Sequence, residues 1–519
     1  MPICAPSRTW TPEPYGRERV AAPAACPPPG CRCAERTTLG QNGAQVTRIV
    51  GPITPPSRSR GAWTIPRSEV AVFDDELFGH GPGGADADHR VVVDDATVVA
   101  AMVRAEVALL RALQTCGVVP DADGGPAVAL AEAAARLTID VADLGLRARG
   151  AGNAVVPLVK ILLAAVPADA RPWVHYGATS QDIVDTALML LARDVSAVVA
   201  ADLRAATEAA AALAEDHRGT VMAGRTLGQV AVPTTFGLKA AGWAAGLAAA
   251  AADVERVKSR LAVQLAGAAG TLAVYGAKAS DVVAAFAAEL GLAVPAGPWH
   301  TERSRVRELA ATLAGAVAAP GKVATDVVLM AMSEVGELRE GGGPGHGGSS
   351  AMPHKQNPVT SVLLRAAAVR APGLLGTVHA AGLQEHERAA GGWHAEWQPL
   401  EELLRLAAGS ARRVRELLEG LDVDAARMAA NLDAARPWVM AEALATRLAP
   451  RLGRAEAQDL VKHALEDAAR DGAPTDDALL AQLRRHPAAA DLPAAALDPR
   501  AALQGVDPLI DAALAAVRG

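Results

Sequence analysis

The chain has 519 residues, a formal net charge of −7, a hydrophobic share of 51% and an aromatic share of 3%. The acidic balance and the absence of a long basic run argue against nucleic acid or an anionic membrane as a partner. We expect no apolar stretch of membrane-spanning length that is free of charges and helix breakers, and the N-terminus lacks a signal-like hydrophobic region, so a cytoplasmic protein is predicted. Because Ala and Leu dominate and β-branched runs are short, the composition predicts an all-α fold.

Residues 1–65 are rich in Pro, Arg, Gly and Thr and have no hydrophobic periodicity. Such a composition buries no core, so we predict a disordered N-terminal extension. Four of the five cysteines lie in this segment: Cys4, Cys26, Cys31 and Cys33. Their spacing matches no common zinc site and no histidine lies nearby, so we predict no metal and interpret them as thiols of a cytosolic protein.

An N-terminal helical domain is predicted at 66–170. The sequence becomes globular after Val70 and predicts helical segments at 94–116, 125–137, 140–150 and 153–166. The first segment opens with the helix-start pattern Asp-Asp-Ala-Thr, and two prolines at 167 and 172 interrupt the chain after the last.

The first of three polar stretches, WVHYGATSQDIVDT, begins at Trp173. Thr179 or Ser180 is a suitable N-cap for the next helix, with Asp182 in its first turn. Apolar residues then recur at a spacing near 3.5 up to position 216 without a breaker, which predicts a helix roughly 50 Å long. Helices of this length pack into bundles, often between subunits.

The second polar stretch, MAGRTLGQVAVPTTFGLKAAGW, covers residues 222–243. Arg225 and Thr226 precede a polar turn, and Pro233-Thr234 is predicted to begin another long helix that reaches past position 261. A break rich in Gly and Ala follows, and two further helices are predicted at 281–292 and 301–338.

The third stretch, GGGPGHGGSSAMPHKQNPVT, covers residues 341–360. Its glycine run predicts a mobile loop, and its second half concentrates polar side chains: Ser349, Ser350, His354, Lys355 and Asn357. Asn357-Pro358 is predicted to start a helix, whose first backbone N–H groups favour anions. A plain Gly/Ser linker is the alternative, but a linker has no need of Met-Pro-His-Lys and a helix cap.

A further polar segment, QEHERAAGGWHAEW at 384–397, interrupts a long helical region. Its charged residues form either a wall of a site or an ion network between subunits, and the usual local pairing of helix charges favours the structural alternative; they are Glu387, Arg388, His394 and Glu396. We predict a central long-helix bundle domain at 171–405, which carries the glycine-rich loop, and a C-terminal helical domain at 406–519.

The segment GSSAMPHKQNP at 348–358 resembles the signature of the fumarase/aspartase superfamily, and the three polar stretches follow the order of that family. The likeness extends from about Phe73 to the C-terminus, and HYGATSQDIVDT and QEHERAAGGWHAEW are most similar to 3-carboxy-cis,cis-muconate cycloisomerases. The resemblance implies three helical domains, with the long central helices of four subunits in one bundle. It also implies a cofactor-free homotetramer that acts on a small di- or tricarboxylate, each site built from three subunits.

The resemblance also implies roles for individual residues. Ser349 matches the loop serine that acts as general base, Ser350, Lys355 and Asn357 match carboxylate-binding positions, and His175 matches a substrate-site histidine to which we assign a catalytic role. Serine is a weak base, so loop N–H groups, Lys355 and the following helix end are expected to stabilise its alkoxide. The remaining residues expected at the substrate are Thr179, Ser180, Gln181, Arg225, Thr226 and Met352. Arg225 either binds substrate or holds the second stretch in place.

Two positions depart from the family pattern. Leu227 stands where lyases of the superfamily commonly place a histidine, which favours a cycloisomerase over an adenylosuccinate lyase. Gln356 stands where cycloisomerases usually have an arginine, and this change removes a bidentate partner for a carboxylate.

The leading hypothesis is cycloisomerisation of 3-carboxy-cis,cis-muconate to carboxymuconolactone in aromatic (protocatechuate) degradation. The alternative is an elimination lyase that releases fumarate, of the nitrosuccinate or adenylosuccinate type. A non-catalytic helical scaffold is a third hypothesis, against which the intact Ser349, Lys355 and Asn357 argue.

Overall fold

The computed structural model describes residues 93–120, 125–342, 346–470 and 474–518, and the statements below concern these residues. The extension predicted at 1–65 and its four cysteines lie outside them. Helices dominate the described residues and strands are few and short, which confirms the all-α class. The division into three domains stays a prediction.

The helices are α1 (Asp95–Thr115), α2 (Gly125–Arg136), α3 (Val141–Ala148), α4 (Val155–Ala165), α5 (Ser180–Asp216), α6 (Phe236–Lys258), α7 (Ala279–Leu290), α8 (Ser304–Met330), α9 (Val359–Ala381), α10 (Gly392–Glu419), α11 (Ala425–Asp433), α12 (Ala441–Leu452), α13 (Arg454–Ala468), α14 (Asp476–Leu483) and α15 (Val506–Arg518). Four short strands form two antiparallel pairs: β1 (Val221–Thr226) with β2 (Gln229–Thr235), and β3 (Leu338–Arg339) with β4 (Asp422–Val423).

Helix α5 is the longest element, with 37 residues. At 1.5 Å per residue it is about 55 Å long. Thr179 is its N-cap residue, as predicted, and the Asp182 carboxylate accepts a hydrogen bond from the Thr179 backbone N–H at 2.9 Å. Residues 181–192 of α5 are buried on every side, and further along the helix the buried positions recur on one face, so most of α5 packs against its neighbours.

Five long helices, α5, α6, α8, α9 and α10, pack together around a core rich in Ala, Leu and Val. Helices α5, α8 and α10 begin at one end of this bundle, where Asp185, Arg303 and Glu396 contact one another. Helices α6 and α9 begin at the other end, close to the β1–β2 hairpin. We call these two ends the His175 end and the hairpin end.

The second polar stretch forms a β-hairpin, which corrects the prediction that Pro233-Thr234 begins a helix. Both residues lie in β2, and α6 begins at Phe236, capped by the Thr235 hydroxyl, and ends at Lys258. Leu227 and Gly228 have positive φ angles of 52° and 81°, the two-residue turn that suits the twist of a hairpin. The β-branched residues of VAVPTT favour a strand over a helix here.

One other predicted boundary moves. Helix α8 ends at Met330 rather than near 338, and Leu338 and Arg339 pair with Val423 and Asp422 as strands. A second hydrophobic core is built mainly from α12, α13 and α14, with Ala223 of β1.

Helices α8 and α9 are long and apolar enough to cross a membrane by length and composition alone. The expectation that no such stretch is free of charges and breakers stands, because α8 contains Pro320 and Lys322 and α9 contains Arg365 and Pro372. Of the most apolar 18-residue stretch in each helix, 50% is buried among neighbouring residues in α8 and 28% in α9. Exposed apolar residues of α9 include Val362 and Val369. Much of α9 is therefore an apolar surface that one chain leaves uncovered.

Candidate active site

The first polar stretch forms a tight turn that leads into α5. Gly177 has a φ of +76°, and a Cβ at this position would lie 2.5 Å from Val274 Cγ1, so glycine is required by both conformation and space. The Tyr275 hydroxyl donates to the Tyr176 carbonyl at 2.6 Å and fixes the turn from the other side. Thr179 and Ser180 follow directly and are partly exposed.

Asp182 holds the start of α5 against two other segments. Its fully buried carboxylate accepts hydrogen bonds from the backbone N–H groups of Thr179, Ala266 and Gly267 at 2.9 to 3.0 Å. His300 Nε2 lies 2.7 Å from the same carboxylate. The hydrogen bonds of the buried Asp182 carboxylate therefore fix the position of Thr179 and Ser180, in addition to the helix itself.

A buried ion triad lies one turn further along α5. The Arg303 guanidinium donates to Asp185 at 2.7 Å and to Glu396 at 2.6 Å, and all three side chains are almost fully buried. The Trp393 indole N–H also donates to Asp185, at 3.0 Å. Glu396 therefore belongs to an ion network, but this network joins helices of one chain rather than subunits.

Gln181 has no exposed surface in this chain. Its amide nitrogen donates to the His300 carbonyl at 2.8 Å and to Asp185, and its amide oxygen accepts from Arg388 at 3.1 Å. These partners occupy the amide, so the geometry supports a structural role for Gln181, and its contact with substrate stays a prediction.

His175 lies at the mouth of the same turn. Its Nδ1 is 2.6 Å from Oε1 of Glu106, a buried residue of α1. Burial of the ring lowers the pKa of His175, but the hydrogen bond to Glu106 and the charges of Glu106 and Asp182 outweigh burial, so the pKa is raised above its ordinary value. The imidazole is therefore held in one orientation, and these contacts stabilise its protonated form relative to that of a free imidazole.

At the hairpin end, Arg225 forms two hydrogen bonds to the buried Glu337, at 2.7 and 3.0 Å. Asn431 donates to the same carboxylate at 2.8 Å. Arg225 thus holds the second stretch in place, which is one of the two roles expected for it. Thr226 and Leu227 lie at the exposed tip of the hairpin.

The glycine-rich loop directs two backbone N–H groups at its first serine. The Ser349 Oγ accepts from Met352 N at 3.3 Å and from Ala351 N at 3.4 Å. Ser350, Met352 and Lys355 are exposed on the same loop. Among the described residues, no carboxylate pairs with the Lys355 ammonium, so it is free to meet an anion.

The start of α9 differs from the prediction. Asn357 does not cap the helix, because its amide and its backbone N–H both donate to the Gly347 carbonyl, at 2.9 and 2.8 Å. The Glu340 carboxylate caps α9 instead, accepting from Thr360 N at 3.0 Å and Ser361 N at 2.7 Å. These N–H groups are therefore occupied, and the helix end is not available to stabilise an alkoxide of Ser349.

Within one chain, the three stretches do not meet. The first lies at the His175 end of α5, and the second and third lie at the hairpin end. Helix α8 runs between these ends with 27 residues, so about 40 Å of helix separates the first stretch from the other two. No cluster of three or more potential metal ligands occurs among the residues that the structure describes.

Sequence reasoning missed three carboxylates with clear roles: Glu106, Glu337 and Glu340. For Glu106 the sequence did offer a signal, its position on the apolar face of α1. It shares this face with Met102, Leu109 and Leu113. An acidic residue on such a face needs a buried partner. Nothing in the local sequence of Glu340 indicates that it caps a helix beginning some twenty residues later.

Comparison with known proteins adds independent information. A family model described as lyase matches residues 87–373. The nitrosuccinate lyase of Streptomyces davaonensis is 44% identical over 458 residues, which cover 86% of this chain and 95% of that protein. The 3-carboxy-cis,cis-muconate cycloisomerase of Pseudomonas aeruginosa is 46% identical over 381 residues, which cover 72% of this chain and 82% of that protein.

Solved structures show the same fold. The crystal structure of 3-carboxy-cis,cis-muconate lactonizing enzyme from Pseudomonas putida superimposes with a TM-score of 0.73 at 37% identity, covering 81% of this chain and 94% of that one. Fumarate lyase from Mesorhizobium sp. BNC1 superimposes with a TM-score of 0.73 at 34% identity, covering 87% of this chain and all of that one, 100%.

Proposed function

Because the chain belongs to the fumarase/aspartase superfamily of lyases and cycloisomerases, we propose that it interconverts 3-carboxy-cis,cis-muconate and carboxymuconolactone. In the ring-closing direction a substrate carboxylate oxygen adds to an alkene carbon, and a proton is delivered to the carbon beside another carboxylate. In the reverse direction that proton is removed and the C–O bond breaks. The several cycloisomerases among the relatives, at 38% to 46% identity, support this reaction.

The observation that carries the chemistry is the geometry of Ser349. Two backbone N–H groups already point at its Oγ, and the hydrogen bonds shorten and strengthen when the oxygen becomes an anion. Ser349 is then the group that removes or delivers the proton. The exposed Lys355 ammonium on the same loop stabilises both the alkoxide and the substrate carboxylate.

The leaving group explains why Leu227 is tolerated at the hairpin tip. In the ring-opening direction the group that departs is a carboxylate, a weak base that needs no proton. An amine leaving group, as in the adenylosuccinate type, needs an acid beside it. A fully exposed leucine supplies none, so the site favours substrates whose leaving group is already stable as an anion.

Elimination of nitrite from nitrosuccinate is a second candidate, favoured by one observation. The nitrosuccinate lyase relative matches 95% of its own length, more than the 82% of the Pseudomonas aeruginosa cycloisomerase. Nitrite is also a weak base, so the same site chemistry serves both reactions. Gln356 is compatible with this smaller substrate, which carries two carboxylates and requires one cationic partner fewer than a tricarboxylate.

We propose a homotetramer as the active form. The apolar surface of α9 needs a cover, and His175 and Ser349 lie at opposite ends of one bundle. Antiparallel packing of long helices from several subunits brings a His175 end beside a hairpin end and so assembles one site from different chains.

The test is to incubate the purified protein with 3-carboxy-cis,cis-muconate and, separately, with nitrosuccinate. Loss of diene absorbance with formation of the lactone supports the cycloisomerase, and release of nitrite with fumarate supports the lyase. Turnover of neither substrate contradicts both candidates. If the scaffold hypothesis is correct, neither compound binds detectably by calorimetry.

A further inference from the structure

Glu106 is a buried carboxylate whose chemistry the reaction above does not use. It is 1% exposed on the inner face of α1. One oxygen meets His175 Nδ1 at 2.6 Å, and the other, Oε2, has no hydrogen-bond partner in the described part of the chain. A carboxylate removed from water is destabilising unless it is paired, so its contact with His175 is the interaction that accounts for its presence.

His175 is held in a conformation that an ordinary residue avoids. Its φ is +59°, in the left-handed region, which costs free energy for a residue with a side chain. The turn that follows is fixed by Tyr275 against Tyr176 and Gly177. The packing and Glu106 together determine the position of the ring, which is a common arrangement where a side chain must meet a ligand.

The geometry leaves one ring nitrogen for a ligand. The side chain of His175 is 20% exposed, and its Nδ1 faces Glu106. Its Nε2 forms no hydrogen bond with the residues that the structure describes. The titratable groups that act on the ring are Glu106 from α1 and Asp182 from α5. Both carboxylates favour a proton on the ring, and the protonated ring presents an Nε2–H donor.

We propose that Glu106 is a positioning residue that holds His175 as an imidazolium, so that Nε2–H binds one carboxylate of the substrate. The identity of that carboxylate rests on the proposed function, whereas the pair itself rests on geometry. A charged donor stabilises most strongly the state in which loss of the neighbouring proton places a second negative charge on the carboxylate. The His175–Glu106 pair therefore supplies a cation for the negative charge that develops on the substrate. In the proposed tetramer, Lys355 on the loop of another subunit faces the same charge.

The experiment measures the protonation of His175 without turnover. Diethylpyrocarbonate acylates neutral imidazole, so acylation of the peptide containing His175, followed by mass spectrometry against pH, reports the midpoint of its titration. The variants are Glu106→Gln and Glu106→Asp, with Glu401→Gln as control, since Glu401 is another largely buried carboxylate, paired with Arg405 on α10. We expect Glu106→Gln to lower the midpoint by about one pH unit, Glu106→Asp to lower it less, and the control to leave it unchanged.

A second readout tests the ligand, with fumarate as the dicarboxylate probe. Fumarate should slow acylation of His175 in the wild type and in the control, and should protect Glu106→Gln several-fold less. Where a substrate turns over, the basic limb of kcat/KM should move to lower pH in Glu106→Gln by the same amount as the midpoint. A purely structural role for Glu106 would move neither the midpoint nor this limb.

Each result decides the proposal. An unchanged midpoint in Glu106→Gln overturns it, as does equal fumarate protection in the wild type and the variant. If Glu106→Gln fails to fold, a wild-type midpoint no higher than that of N-acetylhistidine overturns it without any variant. Because acylation needs no turnover, a protein inactive on both substrates refutes the proposed function and leaves the pair standing.

Discussion

Ser349 Oγ is an acceptor for two backbone N–H groups at distances that are long for a neutral hydroxyl, 3.3 and 3.4 Å. Such bonds gain strength as negative charge develops on the oxygen, so the loop stabilises the ionised serine more than the resting one. At the scale of single residues, the chemistry that we propose for Ser349 therefore depends on backbone groups that a short loop sequence brings together. Side chains such as Lys355 add the charge.

The role of Ser349 is tested by three substitutions. We expect Ser349→Ala to lower kcat by about a hundredfold or more while substrate still binds, because a general base acts only in the transition state. Ser350→Ala should chiefly raise KM, and Lys355→Met should affect both constants, since it removes charge from the substrate and from the alkoxide. Steady-state kinetics on variants shown to be folded by circular dichroism provide the measurement. A folded Ser349→Ala enzyme that retains more than about half of the wild-type kcat would exclude the loop serine as the base.

At the scale of elements, the His175 end is joined by buried charges rather than by apolar packing alone. Asp182 connects α5 to the segment at 264–267 and to His300, and Arg303 connects α5 to α10 through Asp185 and Glu396. Three helix starts and one connecting segment therefore move as a unit. Rigid placement of the first polar stretch follows from these contacts.

Removing Arg303 should show how much this junction contributes. Arg303→Met leaves Asp185 and Glu396 buried without a cation, and we expect a loss of about 3–5 kcal/mol in the free energy of unfolding. Urea denaturation followed by circular dichroism measures the loss. Arg256→Met is the matched control, because Arg256 forms an exposed ion pair with Glu308 and its replacement should leave the transition close to that of the wild type. If Arg303→Met has the same free energy of unfolding as the wild type, the ion triad makes no net contribution to stability.

At the scale of the whole molecule, the long helices of the bundle keep the candidate site residues apart. His175 and Ser349 lie at opposite ends of the bundle, which α8 crosses with 27 residues, about 40 Å, and no rearrangement of loops spans that distance. The apolar surface of α9, including Val362 and Val369, is the surface along which a second copy would pack. In the proposed tetramer, assembly and activity therefore both depend on the packing of these long helices.

Mixed tetramers provide the test. His175→Asn and Ser349→Ala are each expected to be nearly inactive alone, but co-expression in equal amounts should restore activity, because some sites then draw both intact residues from different chains. If the two variant chains assemble at random, each site has an even chance of an intact His175 and an even chance of an intact Ser349. About a quarter of the sites then contain both. Light scattering on the same samples should show a tetramer. A monomer at micromolar concentration, or mixed tetramers without restored activity, would contradict the shared site.

The sequence alone determined the elements whose cause is local. The period of apolar residues predicted the 37-residue α5, Thr179 predicted its start, and the glycine-rich run with Ser349 and Lys355 predicted a loop that bears chemistry. These follow from side-chain periodicity and capping within a few residues. They were also sufficient to indicate the family.

Only the tertiary structure decided which groups meet. Glu106 and His175 are 69 residues apart in sequence, and Asp185 and Arg303 are 118 residues apart. No local pattern indicates that these residues pair. Asn357 was the natural cap by its position, yet Glu340 caps α9 because its charge binds two N–H groups once the chain has folded back. Local propensity is a property of neighbours in sequence, whereas a buried charge takes whichever partner packing places beside it, and that choice exists only in three dimensions.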